Sequence, residues 1–101
     1  MKIPLHITFL NIPLSDAIEV EIRKRAEKLD QFYRRLMHCK VTVEAVGKHQ
    51  NQGHLYEVRI DLTVPGAEIA INRRHRHEDV YVVIRDSFEA AVRRSQTKVD
   101  C

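Results

Sequence analysis

Arg73-Arg74-His75-Arg76-His77 places three guanidiniums in four positions, just before a segment with helical periodicity. Arginine contacts phosphate bidentately or stacks on bases, so this run suits RNA or another polyanion, with a solvated surface loop as the plainer alternative. A second set of cations follows helical spacing. Lys24, Lys28 and Arg35 fall along one flank of an apolar stripe, with Arg25 close to it, while Glu19, Glu27 and Asp30 lie elsewhere. Near the C-terminus Arg94 and Lys98 form an i, i+4 pair on one flank, with Arg93 nearer the solvent side. Two helices with basic flanks would frame a positive groove suited to tracking phosphates. The same pattern also fits ordinary solvated helix faces.

Other chemistry finds little support in the residues. His75 and His77 have H-x-H spacing but lack the two-plus-two arrangement of a structural zinc site, and His38 and Cys39 lie on another element, so no metal is expected. Cys39 alternates with buried positions and reads as a packed thiol, and Cys101 is terminal. There is no phosphate-cradling glycine loop, no G-x-S-x-G and no H-E-x-x-H. Glu57, Asp61 and Glu68 read as sheet-surface charges, and neither catalysis nor a cofactor is expected.

The elements that must position these cations follow from two periodicities. Ile3, Leu5, Ile7 and Phe9 alternate with His6 and Thr8, the period of a half-buried strand, with Pro4 marking an edge. Ser15 or Asp16 can cap a helix, with Asp16 and Glu19 at capping-box spacing, and the stripe Ile18, Ile22, Ala26, Leu29, Tyr33, Leu36 then recurs every three or four residues. Cys39, Val41, Val43 and Ala45 alternate to about Gly47, Lys48 to His54 reads as a loop, and Tyr56, Val58, Ile60, Leu62 and Val64 alternate again. Pro65-Gly66 fits a type II turn into a strand bearing Ala67, Ile69 and Ile71. A last helix opens at Asp79 and buries Tyr81, Ile84, Phe88, Ala91, Val92 and Val99. The expected class is α+β: a two-layer β-α-β-β-β-α sandwich, both helices on one face of a four-stranded sheet, the other face polar.

The 101 residues suit a single domain spanning 1–101. Seventeen Lys+Arg against fourteen Asp+Glu give a charge of +3 and a pI near 9.1, a mild excess that favours polyanions only where it is concentrated. No apolar run has the length of a signal peptide or a membrane span, and two distant cysteines fit a reducing setting, so a soluble, unprocessed, cytoplasmic protein is expected.

Arg25-Ala26-Glu27-Lys28-Leu29-Asp30-Gln31-Phe32-Tyr33, then Leu62-Thr63-Val64-Pro65-Gly66 and Asp79-Val80-Tyr81-Val82-Val83-Ile84, are similar to segments of one family. From about residue 2 to 99 the chain resembles the ribosome hibernation promoting factors and ribosome-associated inhibitor proteins, also called sigma-54 modulation proteins. That resemblance implies a fold like double-stranded RNA-binding domains. It also implies binding to 16S-type rRNA of the small ribosomal subunit near the decoding region. Occupying the mRNA and tRNA channel there silences translation in stationary phase or stress, with no membrane and no DNA sequence specificity. The family's basic helix residues map onto Arg25, Lys28 and Arg93, and its helix-opening motif onto Asp79 and Tyr81. Arg85 departs from the family's usual Asp, and Ala90, Thr97 and Val99 stand where lysines are common. The lysine-rich C-terminal tail is missing too, and the chain resembles the short form without a dimerisation domain. The Arg73–Arg76 cluster is then a candidate replacement for those lysines. Tyr81 is expected to anchor the second helix on the sheet and Asp79 to cap it. The alternative is a divergent relative that keeps the fold as a protein-interaction module.

Overall fold

The computed structural model describes residues 3–48, 54–72 and 76–99, in the order β1 (Leu5–Leu10), α1 (Asp16–Phe32), β2 (His38–Lys48), β3 (His54–Val64), β4 (Ala67–Asn72) and α2 (Val80–Val99). The strands form one sheet in sequence order, β1 parallel to β2 and the other neighbours antiparallel. β1 begins two residues later than the alternation predicts. Pro4 stands just before it, and its carbonyl accepts the Cys39 N–H at 3.1 Å. After β1 the chain turns through Asn11 at φ 63, a left-handed conformation that asparagine tolerates.

Parallel register sets Leu5, Ile7 and Phe9 opposite Cys39, Val41 and Val43, and the antiparallel ladder continues this row through Leu62, Ile60 and Val58. One sheet face is therefore apolar, and both helices cover it. Ile22, Ala26 and Leu29 of α1 and Val80, Val83, Ile84, Phe88, Ala90 and Ala91 of α2 join the strands in one core. A fully buried side chain such as Ile60 stabilises the fold by about 1.5–3 kcal/mol. The opposite face carries His6, Lys40 and Arg59, all exposed.

One boundary decides between two expected caps, and two others differ from the sequence expectation. Ser15, not Asp16, caps α1: its Oγ accepts the Ile18 N–H at 3.3 Å, and Glu19 bonds Arg23 rather than closing a capping box. α1 stops at Phe32, with Tyr33 as an extended C-cap, and Leu36 donates its N–H to the Tyr33 carbonyl at 3.2 Å in a turn. Tyr33 and Leu36 are buried all the same, because the turn tucks both under the helix end. The sheet imposes this stop, since the Met37 N–H already donates to the Thr63 carbonyl at 2.8 Å. At the other end of the hairpin Lys48 pairs with His54, with a bulge between Ala45 and Gly47, so the ladder takes both ends of the expected loop. Its residues 49–53 lie outside the described ones. Between β3 and β4, Gly66 has φ 79, the value a type II turn requires.

Among the described side chains, Tyr81 is the expected core residue that the structure moves outward. It is 42% exposed, and Val80 takes the inward position at the start of α2. The stripe runs Val80, Val83, Ile84, Ser87, Phe88, Ala91, which admits Tyr81 only at its margin. Asp79 caps as expected: its Oδ1 accepts the Tyr81 N–H at 2.9 Å.

Candidate nucleic-acid interface

β1 and β4 point the same way, since β1 parallels β2 and two antiparallel steps lead from β2 to β4. Each helix returns over the sheet from the end of one of those strands, so the helices run parallel and their C-terminal halves lie together. Between them is a groove of about 230 Å³ lined by Arg25, Lys28, Leu29 and Phe32 of α1 and Phe88, Glu89 and Val92 of α2. Phe88 is buried, whereas Phe32 keeps 47% of its surface exposed.

The cations around this groove are not equivalent. Arg25 bonds Glu21 at 2.7 Å, and Lys24 lies 3.8 Å from the same carboxylate. Glu21 therefore stands on the flank that carries these cations and offsets part of its charge. Lys28, exposed on that flank, makes no ion pair among the described residues. Arg35 is not on the helix at all. It lies with Arg34 in the turn that ends α1, both exposed, beside the negative end of the helix dipole.

The family model described as Sigma 54 modulation protein / S30EA ribosomal protein matches residues 5–98. The chain belongs to that family. Its fold is similar to that of a ribosomal subunit interface protein from Coxiella burnetii, with a TM-score of 0.83 at 11% identity over 98% of this chain and 100% of the other. It is also similar to the N-terminal domain of Protein Y from Thermus thermophilus, with a TM-score of 0.75 at 18% identity over 94% of this chain and 98% of that one.

For a member of this family, the placement of the remaining basic residues divides in two. Arg93 and Arg94 are exposed at the same end of the helical layer as Arg34 and Arg35. At 100° per residue they stand about 120° and about 140° from the direction of Phe88 and Val92, so they flank α2 instead of lining the groove. Lys98 belongs to the same end of α2, with its side chain outside the described part. Arg76 lies at the opposite end, just before α2. Arg73, Arg74 and His75 fall outside the described residues. Arg76 bonds Glu57 of β3 at 2.5 Å. Thirteen helical rises separate Val80 from Arg93, about 20 Å, so Arg76, just before α2, stands at the other end of that helix from Arg93.

His77 is held as firmly as Arg76. Its carbonyl accepts the Tyr56 N–H at 3.0 Å and its Nδ1 accepts the Asp79 N–H at 2.9 Å, a role that leaves Nδ1 without a proton. Asn72 opposes Arg59 and His77 opposes Tyr56. Cys39 is fully buried, and burial, with Asp61 nearby, pushes its thiol up to about 12, which keeps it protonated and unreactive. Among the described residues no three of His, Cys, Asp and Glu gather to hold a metal, and no helix is long and apolar enough to cross a membrane.

Sequence reasoning overlooked Arg34, Phe32, Glu21 and Glu89. Glu21 was within reach, since Glu at i and Arg at i+4 is a standard helix pair. Phe32 had no such signal, because its exposure follows from where α1 stops.

Proposed function

We propose that this chain is a ribosome-binding translation inhibitor that lays the C-terminal end of its helical layer on small-subunit rRNA in the decoding region, blocking the mRNA and tRNA channel. It acts in the cytoplasm as a single domain, without a catalytic step. Family membership across residues 5–98 carries this reading. Two features support the orientation: Lys28, Arg34, Arg35, Arg93 and Arg94 gather at one end of the layer, and these exposed long cations suit phosphate contact. The solved relative from Coxiella burnetii is itself described as a ribosomal subunit interface protein.

Co-sedimentation of the purified protein with 30S subunits and 70S ribosomes tests the proposal. Binding should fall steeply with salt, because each phosphate neutralised releases counterions with a slope of roughly 0.7–0.9 per contact. An affinity that stays flat as salt rises, or absence from both pellets, would overturn it and favour the protein-interaction alternative.

A further inference from the structure

We infer that the groove between α1 and α2 receives one unpaired guanine nucleotide, its base stacked on Phe32, its Watson–Crick edge on the Glu89 carboxylate and its phosphate on Lys28. The inference rests on the RNA-binding reading above and adds a base preference to it. Phe32 supplies the first observation: it is 47% exposed and stands over an apolar floor that includes buried Leu29 and Phe88. An exposed ring above an apolar floor is a stacking platform for a base.

The charges on the rim choose the base. Glu89 is the one acid among the groove's lining residues and is exposed, with no ion pair among the described residues. A carboxylate there repels phosphate, so a bound nucleotide must offer it hydrogen-bond donors. Guanine presents N1–H and the N2 amino group side by side, which two carboxylate oxygens accept together. Adenine and cytosine present only an exocyclic amine on that edge, and uracil a single N3–H. On the α1 side Arg25 is already turned to Glu21, whereas Lys28 makes no ion pair among the described residues and is the available phosphate partner.

Fluorescence anisotropy with dye-labelled pentaribonucleotides UUGUU and UUAUU separates this pocket from general backbone attraction. The guanine strand should bind about tenfold tighter, the discrimination that one bidentate pair supplies. Glu89→Gln should erase that preference by weakening UUGUU, with UUAUU bound no more weakly than by the wild type. Phe32→Leu, which keeps apolar bulk and removes the ring, should weaken both strands. Equal affinities in the wild type, or a preference that survives Glu89→Gln, would overturn the inference. Parallel co-sedimentation with 30S subunits keeps the two readings apart. Retained 30S binding without guanine preference defeats only the pocket, and guanine preference without 30S binding defeats only the ribosomal reading.

Discussion

At the β4–α2 end of the molecule Arg76 bonds Glu57, His77 bonds both Tyr56 and the Asp79 amide, and Asp79 caps α2. At the opposite end of the helical layer Lys28, Arg34, Arg35 and Arg94 are exposed and make no ion pair among the described residues. Both ends carry arginine, yet Arg76, His77 and Asp79 at the first bond within the chain, whereas the four cations at the second make no ion pair among the described residues. Charge density in a sequence is therefore a poor guide to binding until topology says which cations already have partners. The contrast makes a division testable: damage at the first end should appear as stability, damage at the second as affinity.

The largest effect should come from reversing charge at the second end. Lys28→Glu with Arg34→Glu and Arg35→Glu should lower ribosome affinity about a hundredfold at moderate salt, because phosphate contacts are lost and repulsion replaces them. The urea midpoint should hardly move. Serine at Arg73, Arg74 and Arg76 should cost far less affinity in the same co-sedimentation. If the loop variant lost more, the assignment of the two ends would be inverted.

Next in size is a pair of substitutions on α2. Ile84→Ala should cost about 3 kcal/mol in urea unfolding, since Ile84 is fully buried and its loss leaves a cavity. Tyr81→Ala should cost under about 0.5 kcal/mol, as expected for an exposed position. A large loss at Tyr81 would restore it as the anchor its helical spacing suggested.

That pair also marks where sequence reading stopped. All four strands, both helices and the Pro65-Gly66 turn were legible, because period-2 and period-3.6 burial are properties of neighbouring residues. The end of α1 was not. Leu29, Tyr33 and Leu36 keep helical spacing, and only pairing of Met37 with Thr63 shows that the last two belong to a turn. Tyr81 fails for a related reason: Val80 and Tyr81 both fit the stripe margin, and the docking of α2 selects between them. For the candidate site, every cation but Arg34 was legible, and their availability was not. Arg76 is neutralised by Glu57, nineteen residues away in sequence, and the separation of the two ends follows from topology alone.

A third test concerns the core near the second end, where Cys39 lies at the start of β2. Its folded pKa, about 12, stands above its ordinary 9.0, so the protonated thiol is favoured by folding. Stability from this group is fully present below about pH 9 and is lost as pH rises toward 12, because the unfolded chain releases the proton first, at up to about 1.4 kcal/mol per pH unit. Denaturation between pH 8 and 10.5 should show a flatter decline for Cys39→Ala than for the wild type. Equal slopes would mean that the thiol does not titrate differently in the two states.

Asp79→Ala should cost about 1 kcal/mol by removing the acceptor of the Tyr81 amide. Ribosome affinity should stay within about twofold of the wild type, since Asp79 lies about 20 Å from Arg93 along α2. Lost affinity with unchanged stability would move Asp79 to the partner surface and make the first end part of the interface.

The smallest effect expected is from Arg76 and Glu57. Their side chains are 52% and 22% exposed, so solvent screens the pair, and breaking it by Glu57→Gln should cost under about 0.5 kcal/mol. What the substitution changes is availability: Arg76 loses its carboxylate partner while every other cation stays in place. If the two ends differ because Arg76 is paired, Glu57→Gln should raise ribosome or RNA affinity slightly, with a steeper salt dependence by up to one counterion. If they differ because the first end faces away from the RNA, affinity and salt slope should both stay the same. Measuring the salt slope of wild type, Glu57→Gln and Arg76→Ser side by side decides whether pairing or position sets what Arg76 contributes to binding.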